Sequence, residues 1–274
     1  MAGRKAAPLV LGHRGYRAKY PENTLLAFSK AIECGADGVE CDLQKSADGR
    51  YLVIHDPRVD RVSNGSGEVH AMRFDDLRRL DFGRGERIAD LAELLAAIPA
   101  DSYLDLELKA ETLSLADCAP IEDILISRIE KRRLMISSFE SSLLVHFRRR
   151  GWTVGLLAGD EIASRGIGGL MGALFRLRPQ YVNLPVQMVE RFGERKARLL
   201  LRLLSICGFS ILLWTVNDAQ RIEGIAGFAR ILVTDEVEKI LRASTSRTAA
   251  RGQRRRGSRH LPTRHHRRPT STSA

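Results

Sequence analysis

Cysteine is scarce and unpatterned in this chain. The four residues, Cys34, Cys41, Cys118 and Cys207, form no CxxC pair and no dense spacing. That excludes a disulfide framework and predicts reduced, mostly buried thiols of an intracellular protein. Long apolar runs are also missing. The best candidate for a membrane span, Leu199 to Trp214, is interrupted by Arg202 and contains Gly208, so it reads as a helix followed by a strand. The stretch from Met1 to Pro8 carries no apolar segment of signal-peptide length. Together these absences make the cytoplasm the expected location. No GxGxxG turn follows the first apolar run, which ends instead in Gly12-His13-Arg14-Gly15 and so argues against a dinucleotide-binding sheet.

Acid is missing from one end. Residues 244–274 hold nine arginines and no Asp or Glu, so they account for nine of the eleven net positive charges and leave +2 on the body to Ala243. With almost no large apolar residue beyond Leu261, the segment 244–274 is expected to be a disordered Arg-rich tail. Residues 1–243 are expected to form a single domain with an ordinary, near-neutral surface. A basic arm of this kind leaves open a peripheral contact with an anionic membrane or with nucleic acid.

What the body does contain is alternation. Short apolar runs, beginning with Leu9–Gly12, Gly38–Leu43 and Tyr51–Ile54 and ending with Ile231–Val233, alternate with amphipathic stretches that have recognisable ends. Helices are predicted over Leu25–Cys34, over Leu91–Ile98 with Asp90 and Glu93 as a capping box, over Ile121–Arg133, and over Ser142–Arg150 capped by Ser141. Asp218 and Asp235 are read as caps of two later helices. Strand–helix alternation points to a parallel sheet. Nine runs exceed by one what a (β/α)8 barrel needs, and Glu40 to His55 is too short for a crossover helix, so Tyr51–Ile54 is a hairpin return arm. The expected fold is therefore α/β: a (β/α)8 TIM-type barrel with a β-hairpin extension after the second strand. An open doubly wound sheet is the competing architecture.

The hairpin is where chemistry first concentrates. Alternation places Glu40 and Asp42 on one face of the first arm. With Asp48-Gly49 as a two-residue turn, Ala47 faces Arg50 and, counting outward, Asp42 faces His55. Other charged residues fall at predicted strand ends, the active face of such a barrel. His13 and Arg14 end the first strand, Glu107 and Lys109 the fourth run.

Three carboxylates, Glu40, Asp42 and Glu107, form an all-oxygen set suited to a hard divalent cation, Mg2+ or Ca2+, rather than zinc. The competing reading is that Lys109 and Arg14 neutralise them as ion pairs. His13 and His55 are suited to proton transfer near neutral pH. Arg14 and Lys109 supply charge for a phosphate, so the set as a whole reads as a phosphoryl-transfer or phosphodiester-hydrolysis site. His70 and His146 read as solvated or packed, and His260, His265 and His266 belong to the tail.

The ordered series of motifs resembles the glycerophosphodiester phosphodiesterase family. It comprises His13-Arg14-Gly15, Pro21-Glu22-Asn23-Thr24, Glu40-x-Asp42, His55-Asp56, Arg61, Gly65-x-Gly67, Leu80-Asp81-Phe82-Gly83, Glu107-x-Lys109, Ser137-Ser138-Phe139, Trp214-Thr215-Val216-Asn217 and Thr234-Asp235. The resemblance implies a Ca2+- or Mg2+-dependent hydrolase that releases an alcohol and glycerol 3-phosphate from a small glycerophosphodiester. It implies Glu40, Asp42 and Glu107 as metal ligands and His13 and His55 as the acid–base pair, with Arg14, Lys109 and Trp214 on the substrate. A lysophospholipase D-type activity is the alternative, with the apolar, then basic stretch Gly166–Arg178 as a lipid-touching flap or a packed barrel helix. Departures from the family pattern are Ile88-Ala89-Asp90-Leu91, Glu236 after Thr234-Asp235, and Asp105, which adds a third charge to the Glu107/Lys109 face and needs a partner inside the barrel or a place outside the dry core.

Overall fold

The computed structural model describes residues 7–159 and 161–243, side chains of 161–167, 189 and 190 excepted. The Arg-rich segment 244–274 lies outside the described residues. Among the described residues nine strands run β1 Leu9–His13, β2 Gly38–Lys45, β3 Tyr51–Val53, β4 Tyr103–Leu108, β5 Leu134–Ser138, β6 Thr153–Leu157, β7 Tyr181–Pro185, β8 Ser210–Trp214 and β9 Ala229–Thr234. All pair in parallel with their neighbours except β3, which runs antiparallel to β2. The first strand pairs with both β2 and β9, so the parallel strands close into the expected (β/α)8 barrel and β3 is left as a flap on β2.

Helices wrap the outside: α1 Leu25–Glu33, α2 Phe74–Leu77, α3 Leu91–Ala97, α4 Cys118–Ile126, α5 Ser141–Arg149, α6 Glu161–Leu177, α7 Gln187–Phe192 and α8 Glu194–Ile206, with α9 over 237–243. Alternation along each strand sorts two cores. Val39, Cys41 and Leu43 of β2 join the large apolar layer between sheet and helices. Leu11, Met135, Leu212, Ile231 and Val233 fill the barrel interior, with Tyr103 and Tyr181 packed against them. Gly38 is required where β2 meets β4, because a Cβ there would lie 1.8 Å from the Tyr103 carbonyl oxygen.

The capping box of α3 forms as predicted: Glu93 N–H donates to Asp90 Oδ1 at 2.9 Å, and Asp90 N–H to Glu93 Oε2 at 3.0 Å. Other ends differ. Helix α4 starts at Cys118, earlier than the apolar period implies, because Pro120 fits in a first turn where its missing N–H costs nothing, and it stops at Ile126, short of Arg133. Glu140, not Ser141, caps α5, accepting from Ser142 N–H at 3.0 Å. Asp218 precedes only a single 3-10 turn, Gln220–Ile222. Asp235 caps nothing; its carboxylate is engaged elsewhere.

The hairpin register also differs. Leu43 faces Val53 and Lys45 faces Tyr51, so Ser46 faces Arg50 and the loop holds three residues, Ala47, Asp48 and Gly49. Gly49 takes the left-handed conformation, φ +82°, as the last residue of a three-residue hairpin loop does. A one-residue slip turns every partner to the opposite face. Asp42 therefore does not face His55: its carbonyl accepts from Ile54 N–H at 3.0 Å, and the strand ends before His55.

Beyond β3 the chain builds an insert with its own small core of Leu52, Ile54, Val59, Val69, Leu77, Phe82 and Ile88. It returns to the barrel through a bridge between Leu52 and Asp90. The stretch Gly166–Arg178 falls largely in α6, which packs Leu170, Leu174 and Leu177 into the main core, so its described part is a barrel helix. No helix among the described residues is long and apolar enough to cross a membrane.

Candidate active site

Inward-facing positions at the carboxyl ends of β1, β2 and β4 converge. Glu40, Asp42 and Glu107 are all buried, and one oxygen from each lies within 4.8 Å of the others. Lys109 Nζ bridges two of them, 2.9 Å from Asp42 Oδ1 and 2.5 Å from Glu107 Oε1. Arg14 sits left-handed at φ 54°, which turns its backbone N–H onto Glu40 Oε2 at 2.9 Å. Its Nε lies 3.3 Å from Asp42 Oδ2 but without hydrogen-bond alignment. Asn23, also left-handed, donates from Nδ2 to Asp42 Oδ2 at 2.9 Å.

Charge is unequally shared among the three acids. Burial raises the Asp42 carboxyl, but Lys109 and Arg14 outweigh it and hold the group below the usual range. Burial, then the neighbouring Asp42 and Glu107, drive Glu40 well above it. Glu107 is pushed up to about 7, chiefly by burial and against the pull of Lys109. Asp42 is thus neutralised by protein cations, while Glu40 and Glu107 remain short of positive charge. An all-oxygen, under-neutralised donor set is what a hard divalent cation requires, so these residues fit one. The ion pairs of the competing reading exist, and they do not exhaust the acids.

The two histidines lie beside this triad, each with a carboxylate of its own. His13 Nδ1 is 2.7 Å from Asp235 Oδ1, and His13 Nε2 is 3.9 Å from Glu40 Oε2. His55 Nδ1 is 2.6 Å from Asp56 Oδ1. Burial lowers the pKa of both imidazoles, and for each the partner carboxylate opposes that shift. In place of cross-strand pairing, Gln44 holds His55: its buried Nε2 lies 2.7 Å from the carbonyl oxygens of both His55 and Asp56. Gln44 is the next inward position after Asp42 on β2, so period-2 spacing alone marks it.

Around the mouth the dyads are joined by ion pairs. Glu22 Oε1 accepts from Arg14 Nη1 at 2.8 Å and from Arg61 Nη2 at 2.7 Å. Arg61 Nε reaches Asp56 Oδ2 at 2.5 Å. Arg17 lies 3.5 Å from Glu22 and 3.6 Å from Asp235. Charged groups therefore run continuously from His13 through Asp235, Arg17, Glu22, Arg61 and Asp56 to His55. Glu22, Arg61, Asp56 and Asp235 stand in the motif series but outside the candidate site residues. The signal was their identity alone, since spacing cannot show that they meet.

Trp214, at the end of β8, packs edge-to-face on Phe139 from the loop after β5, with ring centroids 6.0 Å apart. Its Nε1 is buried without a partner, as are both side-chain polar atoms of Asn183. Asp105 has the partner it needed: Ser137 Oγ donates to its Oδ1 at 2.7 Å. Burial still raises that carboxyl to about 7. His146 is held on the outer layer by Glu122, 2.8 Å away, and His70 is exposed beside Glu68.

Residues 13–239 match the glycerophosphoryl diester phosphodiesterase family. A glycerophosphodiester phosphodiesterase of Caldanaerobacter subterraneus subsp. tengcongensis is 31% identical over 252 residues, covering 85% of this chain and 96% of that one. The crystal structure of a glycerophosphodiester phosphodiesterase from Thermotoga maritima superposes with a TM-score of 0.74 at 31% identity, covering 87% and 99% of the two chains. An Oleispira antarctica phosphodiesterase, solved in complex with the product sn-glycerol-3-phosphate, shares the fold with a TM-score of 0.76 at 24% identity, covering 88% and 97%.

Proposed function

The chain belongs to the glycerophosphoryl diester phosphodiesterase family, and from that premise we propose that it hydrolyses small glycerophosphodiesters to an alcohol and glycerol 3-phosphate. The observation that carries this reading is the pair of His–carboxylate dyads flanking three buried carboxylates.

Glu40, Asp42 and Glu107 would hold one divalent cation, Mg2+ or Ca2+. Bound there, it would supply positive charge against the phosphodiester oxygens as the phosphorus centre is attacked. Arg14 and Lys109 bind the same phosphate, the first as a planar fork and the second as a point charge. Trp214, with Phe139, offers the apolar wall on which the glycerol or alcohol side of the substrate rests.

One histidine accepts a proton from the attacking oxygen, and the other donates a proton to the departing alkoxide as its bond to phosphorus breaks. The accepting imidazole must start neutral, the form that burial favours, and the donating one must start as the imidazolium, which its partner carboxylate supports against burial. Asp235 and Asp56 hold the rings and stabilise whichever becomes cationic.

A substrate panel read out by glycerol 3-phosphate release tests the reading. Turnover of glycerophosphocholine, lost on chelation and in His13→Ala and His55→Ala, is the expected result. Turnover of glycerophosphocholine that survives either histidine substitution overturns the catalytic assignment. Choline release from lysophosphatidylcholine, with no turnover of glycerophosphocholine, would replace the small-molecule substrate with a lysophospholipid.

A further inference from the structure

Helix α8 has two apolar faces. Ala197, Leu201 and Leu204 are buried against the barrel. On the opposite side Leu199, Leu203 and Ile206 are 59%, 51% and 73% exposed. At about 100° per residue, Leu203 and Ile206 lie within roughly 40° of Leu199, so the three form one outward stripe. Isolated surface leucines need no explanation, but an aligned set on one helix does.

The stripe is framed by cations. Arg195, Arg198 and Arg202 flank it on one side and Lys196 on the other, all four exposed. The single acid of the helix, Glu194, lies at its first position, 3.5 Å from Arg198. Apolar residues bordered by basic ones are the composition of a helix lying in the plane of a membrane interface.

We propose that α8 docks this protein peripherally on an anionic lipid surface, with Leu199, Leu203 and Ile206 at the headgroup–acyl boundary and the flanking arginines on lipid phosphates. Charge selects this occupant over two others. Two-fold pairing of stripes from two copies would bring their arginines together. The segment 244–274, with nine arginines and no acid, repels the same rim. An anionic bilayer satisfies stripe and rim together. Helix α8 follows α7 from the carboxyl end of β7 and leads into the start of β8, so its first turn lies at the mouth end of the barrel. From there the stripe runs along the side of the barrel, away from the mouth.

The test is sedimentation of the full chain with vesicles of equal parts phosphatidylcholine and phosphatidylglycerol, against vesicles of phosphatidylcholine alone. The parent is expected to partition onto the anionic vesicles. The triple variant Leu199→Gln, Leu203→Gln, Ile206→Gln should partition about tenfold less or weaker, with unchanged melting temperature and unchanged hydrolysis of a soluble diester. A Leu203→Trp reporter should shift its emission to the blue on anionic vesicles. Equal binding by parent and triple variant would assign the contact to the tail and overturn the proposal. So would failure of the parent to bind, or a dimer of the parent that the triple variant abolishes.

Discussion

Arg61 and Glu22 meet fork to fork, Nη1 to Oε2 at 2.9 Å and Nη2 to Oε1 at 2.7 Å. Arg61 belongs to the insert and Glu22 to the segment before α1, so this bidentate pair ties the insert to the barrel mouth. Burial alone would raise the Glu22 carboxyl, but Arg61 and Arg14 outweigh it and lower the group to about 2 from an ordinary 4.5. A depressed carboxyl contributes stability that is complete above the unfolded value and is lost as pH falls toward the folded one. Glu22→Gln should cost roughly 2 kcal/mol at neutral pH, allowing for the half-exposed Arg61. Denaturant unfolding should show the gap between parent and variant shrinking between pH 4.5 and 2. A gap that stays constant across that window would place the effect in packing rather than charge.

The histidine partners should act on turnover rather than binding. Asp235→Asn and Asp56→Asn are each expected to lower kcat by about 10²-fold with little change in KM, because they orient an imidazole without touching substrate. Steady-state kinetics on a soluble glycerophosphodiester separates the two parameters. A rise in KM alone would move these aspartates into substrate binding.

Divalent cation should stabilise the fold through the carboxylate triad. Adding Mg2+ or Ca2+ to chelator-treated protein should raise its melting temperature, by about 2–3 kcal/mol of stability at roughly a hundredfold excess over Kd. Glu40→Gln should remove most of that rise. A variant that responds as fully as the parent would place the bound ion elsewhere.

The loop of the hairpin gives a prediction independent of activity. Gly49 has open space around its Cα yet a φ of +82°. Gly49→Ala should therefore cost about 1 kcal/mol from backbone strain alone, read by thermal unfolding, with kcat/KM unchanged. A neutral substitution would show that the loop relaxes to another turn.

Much of this architecture was legible in advance because its signals are local. Eight runs that alternate with amphipathic segments specify parallel strands, and period-2 spacing puts Glu40 with Asp42 and Glu107 with Lys109 on inward faces. The hairpin register was not legible. Asp-Gly suits a two-residue turn and the last two places of a three-residue loop alike, and the Ser46–Arg50 pairing that decides between them involves the fold of the insert. Nor could spacing show which carboxylate meets which histidine. Asp235 looks like a helix cap in sequence, and only barrel closure brings it to His13. Glu22 and Arg61 likewise become partners only once the insert has folded back over the mouth.

The dyad of His13 and Asp235 spans 222 positions of the chain, joining the first strand of the barrel to the end of the last. A chain emerging from the ribosome can build the helices, the insert and most of the sheet before that aspartate exists. His13 gains its partner only when β9 has been made and has paired with β1. A fragment ending before Ala229 would carry every carboxylate of the triad and both imidazoles, yet it would lack β9, and its barrel would be open and one imidazole undirected. Synthesis of β9 and the residue that follows it is thus what closes the barrel and supplies His13 with its carboxylate.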